Sequence, residues 1–171
     1  MILTSLETVA YRVHVPRWSF DPVSGAGAAR FGGRLNRPGV PALYLSLETA
    51  TALAEYQQLA PLLPPGVIVA YQVRLEKVVD FRDGIGPGWS PIWRSFYCDW
   101  RRLLFQDTTD PPSWAIGDAA MTSGASGILF RSALTSAGCN LVVFTEKLGH
   151  ADQLNVHDPL RTLPADQASW R

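Results

Sequence analysis

Apolar and polar positions alternate along several stretches of the chain, and this period of two predicts β-strands. One such stretch, Thr8–Val15, ends before Pro16, and the clearest one covers Gly66–Glu76. Val78–Phe81 either continues that strand or forms a short further strand. Other short apolar runs contain many β-branched or aromatic residues, and they predict buried strands at Ala42–Leu45 (ending at Ser46), Gly127–Phe130 and Leu141–Phe144.

Apolar residues at helical spacing predict about three helices. The Ala- and Leu-rich segment Glu48–Ala60 follows Ser46, which we expect to cap the helix, and ends before Pro61. The segment Ile92–Phe105 predicts an amphipathic helix with its arginines mostly facing solvent, namely Arg94, Arg101 and Arg102. A short helix is predicted over Ala115–Ser123.

Glycine-rich and irregular segments connect these elements. Ser24–Gly33 predicts a flexible loop, and its final pair of glycines permits a tight backbone approach that fixes the position of Arg34. After Lys147 the chain shows little periodicity, so we expect this tail either to wrap the surface or to be disordered.

The composition indicates one well-folded domain. The chain has 171 residues, of which 47% are hydrophobic and 18% are charged, enough for a sizeable core. We therefore predict a single domain over residues 1–171. Several strands with about three helices, lacking a regular βαβ alternation, favour an α+β fold.

The charge pattern argues against two classes of partner. Fifteen basic and fifteen acidic residues cancel, so no overall field draws the chain to nucleic acid or to an anionic membrane. Basic residues do alternate with aromatic residues in Ile92–Phe105, but a packed apolar face with solvated arginines accounts for this pattern. Residues 1–7 carry neither a basic lead nor a long apolar run, and the chain lacks an apolar stretch of membrane length. We expect a soluble, cytoplasmic protein.

The cysteines and histidines do not predict a metal site. Cys98 and Cys139 lack metal-ligand spacing and are too few for a disulfide framework, so we interpret both as packing residues. The histidines, His14, His150 and His157, also match no ligand motif. A Gly-x-Gly-x-x-Gly run opening a helix is absent, which argues against a Rossmann-type dehydrogenase.

The most informative segment is Gly32–Glu55. It places Arg34 after two glycines, Tyr44 on a predicted strand and Glu55 in a predicted helix. Three such residues on three successive elements can be gathered into one pocket by folding. Each alone has a simpler interpretation, since a lone helical glutamate commonly faces solvent and a lone strand tyrosine commonly packs in the core.

The wider pattern resembles the RES-domain toxins, a bacterial family named for an arginine, a glutamate and a serine. Arg12 matches the early arginine of the family, and GGRLN matches its GGRW-N segment through Arg34. Tyr44 in LYLS and Glu55 in ALAEYQ match the family tyrosine and glutamate, while Ser132 in GILFRSA matches the late serine. The chain departs from the family at Leu35, where tryptophan is usual, and at Arg131, where proline is common.

The resemblance implies a fold and a function. The implied fold is a core like that of the diphtheria-toxin class of ADP-ribosyltransferases, with two small, mainly antiparallel sheets and flanking helices. The implied function is that of a toxin which cleaves NAD+ at the nicotinamide–ribose bond, consuming it as a substrate. The implied partner is an antitoxin of the Xre type with a helix-turn-helix, whose terminal segment covers the cleft.

The chemistry of this cleavage suggests roles for the matched residues. Positive charge develops on the ribose as the bond breaks, and Glu55 is the candidate to stabilise it, to hold a ribose hydroxyl or to orient the nucleophile. Arg34, the second predicted catalytic residue, and Arg12 are assigned to the pyrophosphate, because guanidinium groups bind phosphate oxygens in a bidentate manner. Tyr44 offers a ring face and a hydroxyl to the nicotinamide or the ribose. Ser132 binds the nicotinamide amide or a phosphate, or else only caps a strand end.

Two questions stay open at the level of sequence. The acceptor of ADP-ribose is water, phosphate or a side chain of a target protein. The alternative to an enzyme is a non-catalytic binding module whose cleft docks an antitoxin or another regulator.

Overall fold

Six strands and four α-helices form the fold in the computed structural model, which describes residues 2–58 and 60–168. The α+β prediction is confirmed. Met1, Leu59 and residues 169–171 of the predicted 1–171 domain lie outside the described residues.

All six strands belong to one sheet. In chain order they are β1 (Leu3–His14), β2 (Ala42–Ser46), β3 (Val67–Asp80), β4 (Gly127–Arg131), β5 (Cys139–Phe144) and β6 (Gln153–Val156). The spatial order is β1-β2-β5-β4-β3-β6, and β1 also pairs with β3, which closes the first five strands into a barrel. All neighbouring strands are antiparallel except β3 and β4, which run parallel.

The prediction of two small sheets is therefore wrong. The reason is the length of β1 and β3, which pair from Leu3–Val79 to His14–Val67. Such long strands have room for further partners at their ends: β1 meets β2 through the Tyr11–Ser46 pair, and β3 meets β4 through residues 78–80. The two long paired strands thus join the remaining strands into one closed sheet.

The two faces of the sheet bury two separate cores. Alternate residues on each strand point inward, and the barrel interior is filled by side chains such as Leu43, Tyr71 and Leu141. The opposite face of β2, β5 and β4 packs against the helical part of the chain, through Val142 and Phe130 among others.

The α-helices are α1 (Ala26–Phe31), α2 (Thr49–Gln57), α3 (Trp100–Phe105) and α4 (Ser113–Thr122). The predicted loop Ser24–Gly33 thus contains a helix. The predicted helix Ile92–Phe105 is in fact a 3₁₀ turn at Pro91–Ser95 followed by α3, because the rings of Trp93 and Phe96 both turn onto Phe81. Helix α4 agrees with its prediction but begins at Ser113.

Two predictions about α2 also need correction. Ser46 does not cap this helix: it is the last residue of β2, and its hydroxyl bonds to Asn140 on β5. The helix ends at Gln57, before the expected Ala60, because Gln58 has a φ of 50° and leaves the helical conformation. Leu59, within the predicted helix, lies outside the described residues.

The C-terminal segment does more than wrap the surface. Gln153–Val156 forms β6, which pairs antiparallel with β3 from Arg74 to Tyr71. This edge of β3 is available because β4 occupies only residues 78–80 of it.

Candidate functional site

The site begins with a row of polar side chains on the outer face of the barrel. Ser46 on β2 is paired with Asn140 on β5, and Asn140 is paired in turn with Phe130 on β4. Cross-strand partners point to the same face of a sheet. Strand pairing therefore places Ser46 and Asn140 side by side and brings Ser132, two residues beyond Phe130, close to them.

Glu55 extends from α2 into this row. Its Oε1 accepts one hydrogen bond from Ser132 Oγ at 2.8 Å and a second from Asn140 Nδ2 at 2.6 Å. Ser46 Oγ donates to Asn140 Oδ1 at 2.8 Å. We call Glu55, Ser132, Asn140 and Ser46 the Glu55 cluster. Within the described residues, Glu55 Oε2 has no hydrogen-bond donor, so the half-buried carboxylate is held by one oxygen and leaves the other free.

Arg34 lies in a loop whose backbone is fixed on three sides. Trp114 Nε1 donates to the carbonyl oxygen of Gly33 at 2.7 Å, and Ser113 Oγ donates to that of Arg34 at 2.5 Å. The next amide, of Leu35, donates to the Tyr44 hydroxyl at 2.9 Å. Side chains from α4 and β2 thus hold three consecutive backbone groups, which predisposes Arg34 to one orientation.

The side chain of Arg34 is anchored through a single nitrogen. Its Nη1 donates to the carbonyl oxygens of Phe96 and Cys98, at 3.1 and 3.2 Å, and its guanidinium carbon lies 5.9 Å from the centre of the Tyr97 ring. The other guanidinium nitrogens carry no hydrogen bond within residues 2–58 and 60–168. They could therefore donate to a ligand without breaking the anchor.

The Tyr44 hydroxyl makes its hydrogen bonds within the protein. The hydroxyl accepts from the Leu35 amide and donates to Asn36 Oδ1 at 2.8 Å. Burial raises the pKa of Tyr44, while the bond from Leu35 and the charges of Arg34, Arg12 and Arg101 oppose this rise. The expected availability of this hydroxyl as a donor is therefore wrong, and the ring face is the part of Tyr44 left for a ligand.

Arg12 is buried more deeply than a surface strand arginine would be. Its Nη1 donates to the backbone oxygen of Tyr44 at 2.8 Å, and its Nε is buried with no hydrogen-bond partner among the described residues. Burial is the largest cause of a lowered pKa for Arg12, and the nearby Tyr71 and Tyr44 act in the opposite direction. A buried guanidinium charge favours an anion nearby, and Arg12 forms no salt bridge within the described residues.

Comparison with known proteins gives one family. The RES domain family model matches residues 9–166 of the chain. The chain belongs to the RES domain family. This finding confirms the resemblance on which the matched residues were chosen.

The fold of this RES domain is also similar to a solved structure. A chain in the crystal structure of the M. tuberculosis MbcT–MbcA toxin–antitoxin complex superposes with a TM-score of 0.61 at 23% sequence identity. The match covers 91% of this chain and 84% of the other. A comparison with curated protein sequences finds no match.

Arg101 lies near this site at the start of α3, and its side chain is exposed, as the sequence pattern predicted. Its guanidinium lies 4.4 Å from the centre of the Trp100 ring at the start of α3. The pKa of Arg101 is lowered by partial desolvation first and by the charge of Arg34 second, while Glu55 raises it. Arg101 is therefore close enough to Arg34 and Glu55 to feel both charges.

The site is rich in positive charge. Arg12, Arg34 and Arg101, here called the arginine group, form no salt bridge with any carboxylate of the described residues. Other arginines of the RES domain do have such partners; Arg37, for example, binds Asp110 and Asp118. Uncompensated arginines in the same part of the fold as one oriented carboxylate suit a ligand with several negative charges and one developing positive charge.

Short contacts join the predicted residues in two groups. Glu55 contacts Ser132 in one. In the other, the Tyr44 hydroxyl on β2 binds the loop that carries Arg34, and Arg12 reaches the backbone of Tyr44. Sequence reasoning missed Asn140, Ser46 and Arg101. A polar residue at the end of each of two apolar strands, LYLS and CNLVVF, was the available signal for the first two.

Other features of the RES domain lie elsewhere. Groups of three or more His, Cys, Asp or Glu side chains able to hold a metal are absent from the described residues. The helices in that part of the chain are all too short or too polar to cross a membrane. Two surface depressions lie away from the Glu55 cluster, one beside Glu7 and Arg74 and the other between Ile68 and Leu163.

Proposed function

We propose that this RES domain is the toxin of a toxin–antitoxin system and cleaves NAD+ at the nicotinamide–ribose bond. The C1′–N bond breaks, its electron pair leaves with neutral nicotinamide, and an acceptor oxygen or nitrogen forms the new bond to C1′ and releases one proton. The acceptor is water, phosphate or a protein side chain, so the products are free ADP-ribose, its phosphorylated form or an ADP-ribosylated protein.

The observation that carries this proposal is the asymmetric environment of Glu55. Its Oε1 is held by Ser132 and Asn140, at 2.8 and 2.6 Å, while its Oε2 is free of hydrogen bonds from the described residues. A carboxylate fixed in this way can face the ribose carbon and stabilise the positive charge that develops there, without reorganising during the reaction.

The arginine group supports the choice of a dinucleotide substrate. The two phosphates of NAD+ carry two negative charges, and Arg34 retains guanidinium donors that the protein does not use. Arg12 adds a buried positive charge that no carboxylate of the described residues neutralises. We assign both to the pyrophosphate, with the Tyr44 ring beside the nicotinamide or the ribose.

Replacing Glu55 with glutamine tests the role of its charge. In Glu55→Gln, the amide oxygen can still accept from Ser132 and Asn140, so the cluster keeps its geometry and loses only the negative charge. We expect nicotinamide release from NAD+ by the purified protein to fall by about 10²–10³-fold, the size seen when one electrostatic stabiliser is lost.

The control is Glu7→Gln, which makes the same change on an exposed part of β1. It should leave nicotinamide release unchanged. Full activity in a folded Glu55→Gln protein would reject the assigned role. Absence of nicotinamide release from the wild type, in the presence of phosphate and cell extract, would favour the binding-module alternative.

The same assay separates the acceptors. NAD+ labelled in the adenosine part is incubated with the protein alone, with added phosphate, or with cell extract. Free ADP-ribose from protein alone indicates hydrolysis, a phosphate-dependent product indicates phosphorolysis, and label on a discrete protein band indicates transfer to a target.

The partner and the wider classification belong to the same proposal. The structural likeness to a chain of a toxin–antitoxin complex supports an antitoxin as partner. We infer that this antitoxin is of the Xre type and covers the arginine group, which would block NAD+. We also propose a single domain over residues 1–171, a core related to the diphtheria-toxin class of ADP-ribosyltransferases, and action in the cytoplasm.

A further inference from the structure

Asn140 stands at the centre of a directed chain of hydrogen bonds. Its Oδ1 accepts from Ser46 Oγ at 2.8 Å, and its Nδ2 donates to Glu55 Oε1 at 2.6 Å. The orientation of the amide follows from chemistry, because an ionised carboxylate only accepts hydrogen bonds and the Ser46 hydroxyl is free to donate. Glu55 therefore fixes which end of the Asn140 amide faces it, and the bond from Ser46 holds the other end in place.

The backbone of β5 makes this arrangement rigid. Asn140 is buried, with 7% of its surface exposed, and it pairs with Ser46 on one side and Phe130 on the other. Glu55, by contrast, extends from α2, which lies outside the sheet. Its carboxylate must therefore be oriented by contacts with residues of the sheet. The hydrogen bond from Asn140 connects Glu55 to β5, which lies between β2 and β4.

The second donor to Glu55 is fixed independently. Ser132 Oγ accepts from the Leu134 amide at 3.1 Å, and the Ser132 amide donates to the Gly138 oxygen at 2.9 Å. Both donors bind Oε1, which leaves Oε2 as the carboxylate oxygen that can face a substrate. Loss of either donor would free the carboxylate to rotate and exchange its two oxygens.

We propose that Asn140 is a positioning residue, which orients the Glu55 carboxylate so that Oε2 faces the ribose carbon, with Ser46 holding the Asn140 amide in the required direction. This inference rests on the proposed cleavage of NAD+. Asn140 acts through Glu55, so its loss should lower kcat and leave the binding of NAD+ to the arginine group nearly unchanged.

Asn140→Asp tests the inference with an isosteric change. The aspartate places a second carboxylate oxygen against Glu55 Oε1, and the pair is expected to repel unless it shares a proton. Arg101 is the charged group whose field reaches Glu55 from α3, and the change leaves it in place. At about pH 8 we expect kcat for nicotinamide release to fall on the order of 10- to 100-fold, the loss expected for a hydrogen bond to a charged group. The KM for NAD+ should change by less than about threefold, since the cations are intact.

The pH dependence of kcat distinguishes a positioning role of Asn140 from a purely structural one, because a structural role would leave this dependence unchanged. In Asn140→Asp, protonation of the pair restores a donor to Glu55, so kcat relative to the wild type should recover as the pH falls from about 8 to about 5.5. The control, Asn155→Asp, makes the same change at an exposed position of β6 and should follow the wild type at every pH.

Ser46→Ala keeps the proposal testable if Asn140→Asp does not fold. It removes only the bond to the Asn140 amide oxygen, and kcat should fall by roughly 3- to 10-fold, as expected for a neutral hydrogen bond. Wild-type kcat and pH dependence in a folded Asn140→Asp protein would overturn the positioning role, and so would wild-type kcat in folded Ser46→Ala. If Glu55→Gln is inactive in the same assay, the proposed function still stands. A wild type that releases no nicotinamide overturns both.

Discussion

At the scale of single residues, Arg34 differs from an ordinary surface cation in how it is held. One nitrogen is anchored on the carbonyl oxygens of Phe96 and Cys98, and the guanidinium faces the Tyr97 ring. The remaining donors keep the fixed planar spacing that matches two phosphate oxygens. An ammonium group at this position would retain the charge but would lose either the anchor or the bidentate contact.

Arg34→Lys should therefore weaken substrate binding while preserving net charge. We expect the KM for NAD+ to rise by about tenfold or more, which corresponds to the loss of one charge-assisted hydrogen bond of about 1.5–3 kcal/mol. The measurement is initial-rate kinetics of nicotinamide release. Arg94→Lys, at an exposed position, is the control and should keep the wild-type KM. An unchanged KM in Arg34→Lys would remove Arg34 from the phosphate site.

The site residues could be predicted individually but their partners could not. Glu55 and Ser132 were chosen from separate motifs, and their hydrogen bond joins positions 77 residues apart. Ser132 was assigned to a ligand or to a strand cap, whereas its hydroxyl proton goes to Glu55. A side chain with one hydroxyl proton donates it once, and only the packing of α2 on the sheet determines the recipient.

At the scale of elements, the loop before Arg34 works because Gly33 has no side chain. A Cβ at residue 33 would lie 2.5 Å from Asn36 Oδ1 and 2.7 Å from the Tyr44 hydroxyl oxygen, both too close for real contacts. Those two atoms are hydrogen-bonded to each other. The paired glycines therefore serve the close approach of the loop to β2, which the sequence pattern predicted.

Gly33→Ala should disturb this contact and displace Arg34. We expect the free energy of unfolding to fall by about 1–3 kcal/mol, the usual cost of overpacking, with a lower rate of nicotinamide release. Gly27→Ala is the matched control: it lies in α1 with open space around its Cα, so alanine should leave stability unchanged or raise it by up to about 1 kcal/mol. Urea unfolding measures both. Equal stabilities of the two variants would contradict the proposed contact.

The segment Ile92–Phe105 shows where periodicity misleads. Its apolar positions do face the core, as predicted, since Trp93 and Phe96 are buried. Their rings pack on Phe81 with centroid distances of 4.9 and 4.5 Å. A short 3₁₀ turn and a separate α3 achieve this packing, while Arg101 in α3 stays exposed, as predicted.

At the scale of the whole molecule, a buried histidine makes the free energy of unfolding depend on pH. His14 Nε2 lies 2.6 Å from the Tyr71 hydroxyl, which donates to the Pro22 oxygen at 2.7 Å. Burial, reinforced by the charge of Arg12, lowers the pKa of His14 from 6.5 to about 4. The folded state therefore keeps His14 neutral over a range in which the unfolded chain would protonate it.

The sign of the effect follows from proton binding. Between about pH 6.5 and pH 4 the unfolded state binds more protons at His14, so the stability from this residue is present above about pH 6.5 and is lost as the pH falls. We expect the free energy of unfolding to drop by about 2 kcal/mol between pH 7.5 and pH 5 from His14 alone. In His14→Gln, which keeps a donor near Tyr71, urea unfolding should show a smaller drop.

The exposed His150 provides the control, since His150→Gln should retain the full pH dependence of the wild type. If the wild type and His14→Gln lose the same stability between the two pH values, the assignment to His14 is wrong.

The sequence alone determined several of the local elements and the identities of the chemical groups. Strand β2 was predicted to within a residue, β4 and β5 to within two, and the motifs around Arg12, Arg34, Tyr44, Glu55 and Ser132 were sufficient to indicate the RES family. These features depend on alternation, turn residues and short motifs, which are properties of neighbouring residues in the chain.

Only the tertiary structure decided the single closed sheet, the place of β6 and the assembly of the Glu55 cluster. Alternation determines which residues share a face of a strand, but it leaves the partner strand and the register undetermined. Those depend on burying both sheet faces at once, which brings Asn140 to Glu55 across 85 residues of sequence. The charged residues of the site can thus be identified from the sequence, whereas the contacts that orient them arise from strand pairing.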